Sequence, residues 1–401
     1  MANDQQVLFL VPEVALTVQL VSRLRKTFGE QVVVYNYRSS VKERFYLWRK
    51  LITGEPVIVL GARSSLFLPF TRLDLIIVDE EQDQSYKQQD PNPRYHGRDA
   101  AIYLGQQSSA QVILGTATPS LETYYNVQRS KYHTAQLLDR YGDQALPDVK
   151  LVDLRKSQKK NDLQGIFSGE LVRKIDEMLQ ANRQIIIFQN RRGFHTTFSC
   201  TVCEWIAQCH QCDVTLTYHK FSAKLHCHLC GYSQKVPTEC PNCSSLILNQ
   251  KGYGTERIQE ELKELFPLSK IQRLDADTTR KKSSYDRIIR NFTDHKVDIL
   301  VGTQMVTKGL DFDNVGLVGI INGDSMMHYP DFRSLEYSFQ ILTQVSGRSG
   351  RKDKIGEVLI QSYHIAHPLY QYILNNDFIG FYKEELTERK SFFYPPFSRL
   401  I

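Results

Sequence analysis

The stretch Leu73–Gln82, LDLIIVDEEQ, joins an apolar run to three consecutive carboxylates, Asp79, Glu80 and Glu81. A short apolar run of this kind predicts a buried strand, and ligands of open α/β sheets collect at the carboxyl ends of the strands. There, one carboxylate can hold Mg²⁺ while its neighbour polarises an attacking water. Acids that follow a strand are more often ordinary turn residues, so the interpretation depends on the surrounding sequence.

Short apolar runs alternate with amphipathic stretches around this segment, which is the pattern of βαβ units and a parallel sheet. We predict strands over Val7–Val11, Val32–Tyr35, Val57–Gly61 and Gln111–Thr118, and helices over Val14–Phe28, Val41–Ile52 and Gly97–Gln107. The last strand ends in a hydroxyl-rich turn, GTATPSLE, in which Thr116 and Thr118 are candidate coupling residues. This coincidence favours a nucleotide site over a simple turn.

A polar loop between these two strand ends, QDQSYKQQDPNPRYHGRDAA, mixes aromatic rings with cations. Rings stack on bases and cations pair with phosphates, so the loop is a candidate for contact with single-stranded nucleic acid. The alternative is a solvated loop whose tyrosines pack locally. The candidate DNA-binding residues are Tyr86, Lys87, Arg94, Tyr95 and Arg98.

A second α/β pattern follows a polar connector and includes the predicted buried strand Gln184–Asn190. Its densest motifs are VGTQMVTKGLDF (Val301–Phe312) and QVSGRSGR (Gln344–Arg351). The second motif contains Arg348 and Arg351. Glycine lets a backbone approach a phosphate closely, and two arginines near a helix end can reach a γ-phosphate as arginine fingers. Alone, such a run is usually a turn with exposed arginines. Together with the carboxylates it suggests two α/β lobes that share a nucleotide.

All eight cysteines lie between Cys200 and Cys243, in four Cys-x-x-Cys pairs that interrupt the second lobe. Such pairs bind tetrahedral zinc, so the segment predicts two structural zinc sites. The spacing favours an inner site of Cys209, Cys212, Cys227 and Cys230 within an outer site of Cys200, Cys203, Cys240 and Cys243. A cross-braced pairing, first with third and second with fourth, stays open. A disulfide framework is disfavoured because nothing else in the chain is typical of a secreted protein.

The composition, 41% hydrophobic and 23% charged over 401 residues, is typical of a soluble globular protein of two or three domains. No apolar run approaches the roughly 20 residues of a membrane span, so we expect a cytoplasmic protein without a membrane partner. The net charge of +6 permits an anionic partner without requiring one.

Seven motifs occur in the order found in superfamily 2 helicases: VPEVALT, GARSSLFLPF, DEEQ, GTATPSLET, FQNRRGF, GTQMVTKGLDF and QVSGRSGR. With the cysteine-rich block after NRRGF, the chain resembles the primosomal replication-restart helicases of this superfamily over nearly its whole length. The resemblance implies two RecA-like lobes with a two-zinc insertion in the second lobe, nested zinc pairing, and ATP and Mg²⁺ as further cofactors. It also implies 3′-to-5′ movement on DNA and a nucleoid-associated location.

The implied partners are branched and single-stranded DNA at abandoned replication forks, the single-stranded-DNA-binding protein, and the primosome proteins that reload the replicative helicase. By the same resemblance, the Tyr86–Arg98 loop is similar to an aromatic-rich loop that couples DNA contact to ATP hydrolysis. Asp79 would serve Mg²⁺ and Glu80 the attacking water, while Thr116 and Thr118 would form the coupling turn.

In the second lobe, Gly309 and Asp311 would contact nucleotide or DNA, and Gln344, Arg348 and Arg351 would sense the γ-phosphate. Gln82 is a departure, because the family usually has histidine there, although glutamine still offers a donor and an acceptor.

The sequence contains no Gly-Lys-Ser/Thr, so it lacks the P-loop that cradles the phosphates in such helicases. We therefore expect a fragment of a longer helicase that lacks the N-terminal DNA-binding domain and is inactive alone. The alternative is a zinc-containing DNA- or protein-binding module that hydrolyses nothing. The predicted domains are a first lobe at 1–128, a connector at 129–168, a second lobe at 169–197 and 246–376, a zinc insertion at 198–245, and the start of a C-terminal domain at 377–401.

Overall fold

Two units make up the described part of the chain: its residues up to 135 belong to the first unit and those from 136 onward to the second. The computed structural model describes residues 5–12, 18–36, 39–137, 146–190, 196–200, 202–203, 205–210, 216–219, 224–227, 230–251, 254–275, 278–279, 282–306, 312–327, 331–349 and 356–399. Each unit contains a parallel sheet with helices between its strands, which confirms the predicted α/β class with two lobes.

A five-stranded parallel sheet forms the centre of the first unit. Its strands are β1 (Gln6–Leu10), β2 (Val32–Tyr35), β3 (Val57–Gly61), β4 (Leu73–Asp79) and β5 (Gln111–Gly115), in the spatial order β2-β3-β1-β4-β5. Its helices are α1 (Val18–Phe28), α2 (Val41–Ile52), α3 (Gly97–Ser108) and α4 (Leu121–Gln128). All of β3 is buried, as expected for an inner strand of a sheet covered on both faces.

Side-chain caps determine where two helices of this unit begin. Ser40 and Glu43 form a capping box at the start of α2, in which each side chain binds the other's backbone N–H. Ser120 caps α4 by accepting a hydrogen bond from the Thr123 N–H at 3.2 Å. Because α4 starts directly after the Thr116–Thr118 turn, its cap also fixes the end of that turn.

The second unit contains a six-stranded parallel sheet in the order β15-β16-β9-β17-β18-β6. These strands are β6 (Asp148–Asp153), β9 (Gln184–Phe188), β15 (Ile271–Leu274), β16 (Ile299–Gly302), β17 (Val315–Ile320) and β18 (Glu357–Ser362). The helices are α5 (Leu154–Lys159), α6 (Gly169–Gln180), α7 (Thr255–Leu265), α8 (Lys282–Thr293), α9 (Ser334–Ser346), α10 (Pro368–Leu374) and α11 (Phe378–Ser391). A two-stranded ribbon, β7 (Leu163–Gln164) with β8 (Phe167–Ser168), precedes α6.

The cysteine-rich segment forms an antiparallel sheet of its own between β9 and α7. Its strands are β10 (Thr196–Cys200), β11 (Thr217–His219), β12 (Lys224–His226), β13 (Ser233–Lys235) and β14 (Leu248–Lys251), in the order β13-β12-β11-β10-β14. The first strand, β10, pairs with the last strand, β14. The insertion therefore begins and ends on neighbouring strands.

The predicted connector at residues 129–168 includes short strand-like runs, one of which is VKLVDL. Its residues Asp148–Asp153 pair in parallel with Glu357–Ser362 and form an edge strand of the second sheet. Asp148 and Lys150 of β6 are exposed, whereas Val152 is buried. Among the described helices, none is both long and apolar enough to cross a membrane.

Candidate functional site

The predicted nucleotide site lies where β4 and β5 end side by side. Asp79 is the register partner of Gly115, so the residues after both strands emerge at the same edge of the sheet. Asp79 is half-buried, and burial raises the pKa of its carboxyl group, against a hydrogen bond from the Glu80 N–H at 3.0 Å. Glu80 has a left-handed backbone conformation with φ of 48°. This conformation turns the chain away from the direction of β4 directly after Asp79.

Gln82 connects the two strand ends through both ends of its amide. Its Nε2 donates to Glu80 Oε2 at 2.7 Å, and its Oε1 accepts from the Thr116 hydroxyl at 2.7 Å. The Thr116 oxygen in turn accepts from the Thr118 N–H at 3.0 Å. The Thr118 hydroxyl is buried and has no hydrogen-bond partner within the described residues. An unbroken chain of hydrogen bonds therefore runs from the Glu80 carboxylate to the turn after β5.

A buried ion pair lies beside this chain. Glu81 is completely buried, and its Oε2 lies 3.0 Å from Arg98 Nη1. Its carboxylate also accepts from the Ser120 N–H at 2.7 Å and the Thr123 hydroxyl at 3.0 Å. The sequence analysis gives Glu81 no role and places Arg98 among the DNA contacts, but Arg98 is only 8% exposed. The pair joins the end of β4 to the starts of α3 and α4.

The predicted DNA loop is an ordered segment with one buried end. Tyr86 is 1% exposed, and its hydroxyl donates to the Asp79 carbonyl at 2.8 Å. The loop is closed by the Gln88 N–H, which donates to the Tyr95 carbonyl at 2.9 Å. Tyr95 is half-buried, whereas Lys87 and Arg94 are exposed. Of the five predicted DNA contacts, Lys87 and Arg94 thus lie at the surface, Tyr95 partly so, and Tyr86 and Arg98 lie inside.

In the second unit, the carboxyl ends of β9 and β16 carry a pair of amide side chains. Gln304 Nε2 donates to Asn190 Oδ1 at 3.3 Å. Gln344 lies in α9, and Arg348 lies two residues after the end of that helix. Both residues are half-buried. The remaining predicted residues of this lobe, Gly309, Asp311 and Arg351, lie outside the described residues. The asparagine–glutamine pair has no role in the sequence analysis, although Asn190 ends a predicted strand and Gln304 lies in the motif VGTQMVTKGLDF.

The outer cysteine cluster brings together Cys200, Cys203, Cys240 and Cys243, whose sulfur atoms all lie within 4.8 Å of one another. The Sγ atoms of Cys200 and Cys243 are 3.6 Å apart, and those of Cys203 and Cys240 are 3.5 Å apart. Two backbone N–H groups donate to these sulfurs at 3.4 Å: that of Val202 to Cys200 Sγ, and that of Asn242 to Cys240 Sγ. These bonds favour the thiolate that a metal requires.

The inner cluster contains Cys209, Cys227 and Cys230, again within 4.8 Å of one another, and its fourth predicted member, Cys212, lies outside the described residues. Gly231, with φ of +76°, turns the chain just after Cys230, in a conformation that disfavours other residues. Cys209 and Cys227 also belong to a small apolar core with Phe198, Ala207, Leu216 and Leu225. The two clusters therefore group the cysteines as an inner and an outer set.

The donor set fits zinc. Four sulfurs around a tetrahedral zinc, each bonded at roughly 2.3 Å, stand about 3.8 Å apart, close to the observed separations. A disulfide would need about 2.05 Å, and the described cysteines are free. His210 is exposed and His226 half-buried, and neither belongs to the clusters; the third neighbouring histidine, His228, lies outside the described residues.

Three family models match the chain in sequence order. They are the DEAD/DEAH box helicase at residues 1–127, the PriA DNA helicase Cys-rich region domain at 209–235 and the helicase conserved C-terminal domain at 243–353. The structure of RecG bound to a three-way DNA junction is similar in fold, with a TM-score of 0.51 and 14% identity over 95% of this chain and 40% of that one. The structure of the helicase MrfA bound to DNA has a TM-score of 0.50 and 14% identity, over 93% of this chain and 42% of that one.

Curated relatives are similar over the whole of this chain. The replication restart protein PriA of Bacillus subtilis is 42% identical over 99% of this chain and 49% of its own length. The PriA protein of Chlamydia trachomatis is 45% identical over 100% of this chain and 53% of its own. The chain thus spans about half the length of these relatives. With helicase lobes on either side of a matching cysteine-rich region, the chain belongs to the PriA family of replication restart proteins.

Proposed function

We propose that the chain forms most of the motor of an ATP-dependent DNA helicase that moves 3′ to 5′, binds stalled or abandoned replication forks and promotes primosome assembly. The observation that carries this proposal is the hydrogen-bond chain from Glu80 through Gln82 to Thr116. It joins a carboxylate suited to activating water to a second strand end, as coupling of hydrolysis to movement requires.

In this proposal Asp79 holds Mg²⁺ through its half-buried carboxylate, and Glu80 orients the attacking water. Gln82, Thr116 and Thr118 pass the state of the nucleotide to the turn before α4. The bound nucleotide and Mg²⁺ supply the phosphoryl chemistry. The Thr118 hydroxyl, which has no hydrogen-bond partner in the described part of the chain, fits a site that is completed by a further ligand or segment.

The second lobe contributes cations and backbone in the same proposal. Gln344, Arg348 and Arg351 sense the γ-phosphate, and Gly309 and Asp311 contact nucleotide or DNA. The two zinc sites are structural, because sites with four thiolates leave no open position for chemistry. The zinc insertion then offers a surface to unwound DNA or to primosome partners.

DNA is the proposed substrate, as single strands and forks. The exposed Lys87 and Arg94 suit phosphates, and the half-buried ring of Tyr95 suits a base. We further propose contacts with the single-stranded-DNA-binding protein and with proteins that reload the replicative helicase, by analogy with the function named in the relatives.

Hydrolysis of ATP in the presence and absence of DNA tests the motor assignment. We expect turnover from a longer polypeptide that includes a P-loop and none from this chain alone, because its sequence contains no Gly-Lys-Ser/Thr. In the longer protein, Glu80→Gln should lower the rate by about 10²-fold or more. Asp74→Asn is the matched control, since Asp74 is an exposed acid on β4, the strand that ends just before Glu80.

Unwinding of duplexes that carry either a 3′ or a 5′ single-stranded tail tests the polarity. Inactivity of the longer polypeptide on every substrate would count against the motor. It would favour the second candidate function, a zinc-containing module that binds DNA or protein without turnover.

A further inference from the structure

An exposed phenylalanine stands beside the DNA loop without a role in the proposal above. Phe67 is 70% exposed and closes the 3₁₀ turn Arg63–Phe67, which follows β3. Its ring lies 5.3 Å from that of Tyr95, centroid to centroid, at 86°. Two segments that are about 30 residues apart in sequence thus form one edge-to-face aromatic pair.

The Tyr95 ring of this pair is held in place by contacts with other residues of the first unit. Its ring packs against the core of the first unit, and the Arg63 guanidinium lies 5.7 Å from its centroid. Arg63 is itself fixed, because its Nη1 donates to the Ser85 carbonyl at 3.1 Å. Gly97 permits this packing, since a Cβ there would lie 3.2 Å from Arg63 and 3.1 Å from Tyr86. The pair is therefore preorganised, and Phe67 is its exposed member.

The surroundings of Phe67 match the requirements for single-stranded nucleic acid. Lys87 and Arg94 on the adjoining loop are exposed, and Lys87 Nζ donates to the Arg94 carbonyl at 2.9 Å. Cations that track a phosphate backbone, next to a ring on which a base can stack, are the two components of strand binding without sequence preference. An exposed ring of this size on a rigid turn has no part in the apolar core of the unit.

We propose that Phe67, braced by Tyr95, is a stacking platform for one nucleobase of single-stranded DNA. This inference rests on the proposed function and adds to it a binding residue on the turn after β3. Every base has a π face, so the platform accepts any sequence. Arg94 and Lys87 neutralise the neighbouring phosphates.

Binding of a fluorescein-labelled oligothymidylate over a range of salt concentrations tests the platform. Phe67→Ala should weaken binding roughly 5- to 150-fold, the equivalent of the roughly 1–3 kcal/mol found for one stacked base. The dependence on salt should stay unchanged, because no phosphate contact is removed. Phe67→Leu should weaken binding similarly, since it keeps an apolar side chain without a π face, and Phe67→Tyr should retain binding.

Phe45→Ala provides the matched control, because Phe45 is 64% exposed on α2 of the same unit. It should bind like the wild type. If the wild type binds and Phe67→Ala or Phe67→Leu binds equally well, the platform is excluded while the proposed function stands. A loss of the same size in Phe45→Ala would also exclude it. If the wild type itself does not bind the oligonucleotide, the DNA-binding function fails as well.

Discussion

At the scale of single residues, Gln82 shows how a departure from a familiar pattern can keep a connection intact. The sequence analysis noted that histidine is usual at this position. The glutamine amide donates to Glu80 and accepts from Thr116 at the same time, as a neutral histidine can with its two nitrogens. Unlike histidine, an amide does not titrate near neutral pH, so this connection does not depend on the charge state of Gln82.

Gln82→Ala should leave basal ATP hydrolysis of the P-loop-containing protein nearly unchanged but lower its stimulation by DNA about tenfold. The reason is that both hydrogen bonds between the two strand ends are lost, one of them to a charged group. Gln82→Glu should be worse, because it places a second carboxylate beside Glu80. The measurement is the ratio of rates with and without DNA, with the exposed Gln107→Ala as control. Equal stimulation in Gln82→Ala would contradict the coupling role.

Arg98 should contribute to stability through its buried pair with Glu81. Arg98→Ala leaves the Glu81 carboxylate buried without its cation, so we expect a loss of about 3–5 kcal/mol in the free energy of unfolding. Urea denaturation measures this loss. Arg94→Ala, at an exposed position, should change stability by about 0.5 kcal/mol at most and weaken DNA binding instead.

A double variant separates these effects. Replacing Glu81 and Arg98 together with alanine should cost less than the sum of the single changes, because neither charge is then left alone. Additive losses would indicate that the two side chains act independently.

At the scale of secondary-structure elements, local patterns were sufficient for much of the fold. The predicted bounds of β2, β3 and α2 agree with the structure, because continuous β-branched runs and an amphipathic helix with a capping box are local signals. The apolar run within Leu73–Gln82 predicts a strand next to three carboxylates, and β4 ends at the first of them, Asp79. The left-handed conformation of Glu80 ends the strand there, and sequence patterns do not report it.

The candidate site was predictable in part for a related reason. Neighbouring parallel strands end at one edge, so the meeting of Asp79, Glu80 and Thr116 follows from the α/β pattern. The burial of Arg98 does not, because its partner lies 17 residues away and the pair forms only when α3 packs on β4. Tyr86 is similar: an aromatic residue in a polar loop resembles a surface ring until its hydroxyl is seen bound to the Asp79 carbonyl.

The zinc insertion should contain two metal ions per chain. We expect Cys227→Ser to remove the inner ion and Cys240→Ser the outer ion, because each cysteine belongs to one cluster only. Zinc release measured with a chromogenic chelator after denaturation gives the count. His210→Ala should retain both ions, since His210 lies outside the clusters. A single ion in the wild type, or the loss of both ions from Cys227→Ser alone, would contradict two independent sites.

At the scale of the whole molecule, the strand β6, which lies within the predicted connector, shows how distant in sequence two paired strands can be. Residues Asp148–Asp153 pair with Glu357–Ser362, about 200 residues later in the chain. Lys150 Nζ lies 2.8 Å from Asp148 Oδ2 within β6 and 4.0 Å from Glu357 Oε2 on β18. The second ion pair therefore also joins the two strands. The place of β6 in the sheet is fixed by a distant partner that local patterns do not reveal.

The pairing of β10 with β14 has a consequence for how the molecule can change. Because Cys200 lies opposite Leu248 in neighbouring antiparallel strands, the insertion leaves and rejoins the chain about 5 Å apart. A segment whose two ends are adjacent is a self-contained insertion. A change in the length of the segment between these ends need not alter the register of the six parallel strands.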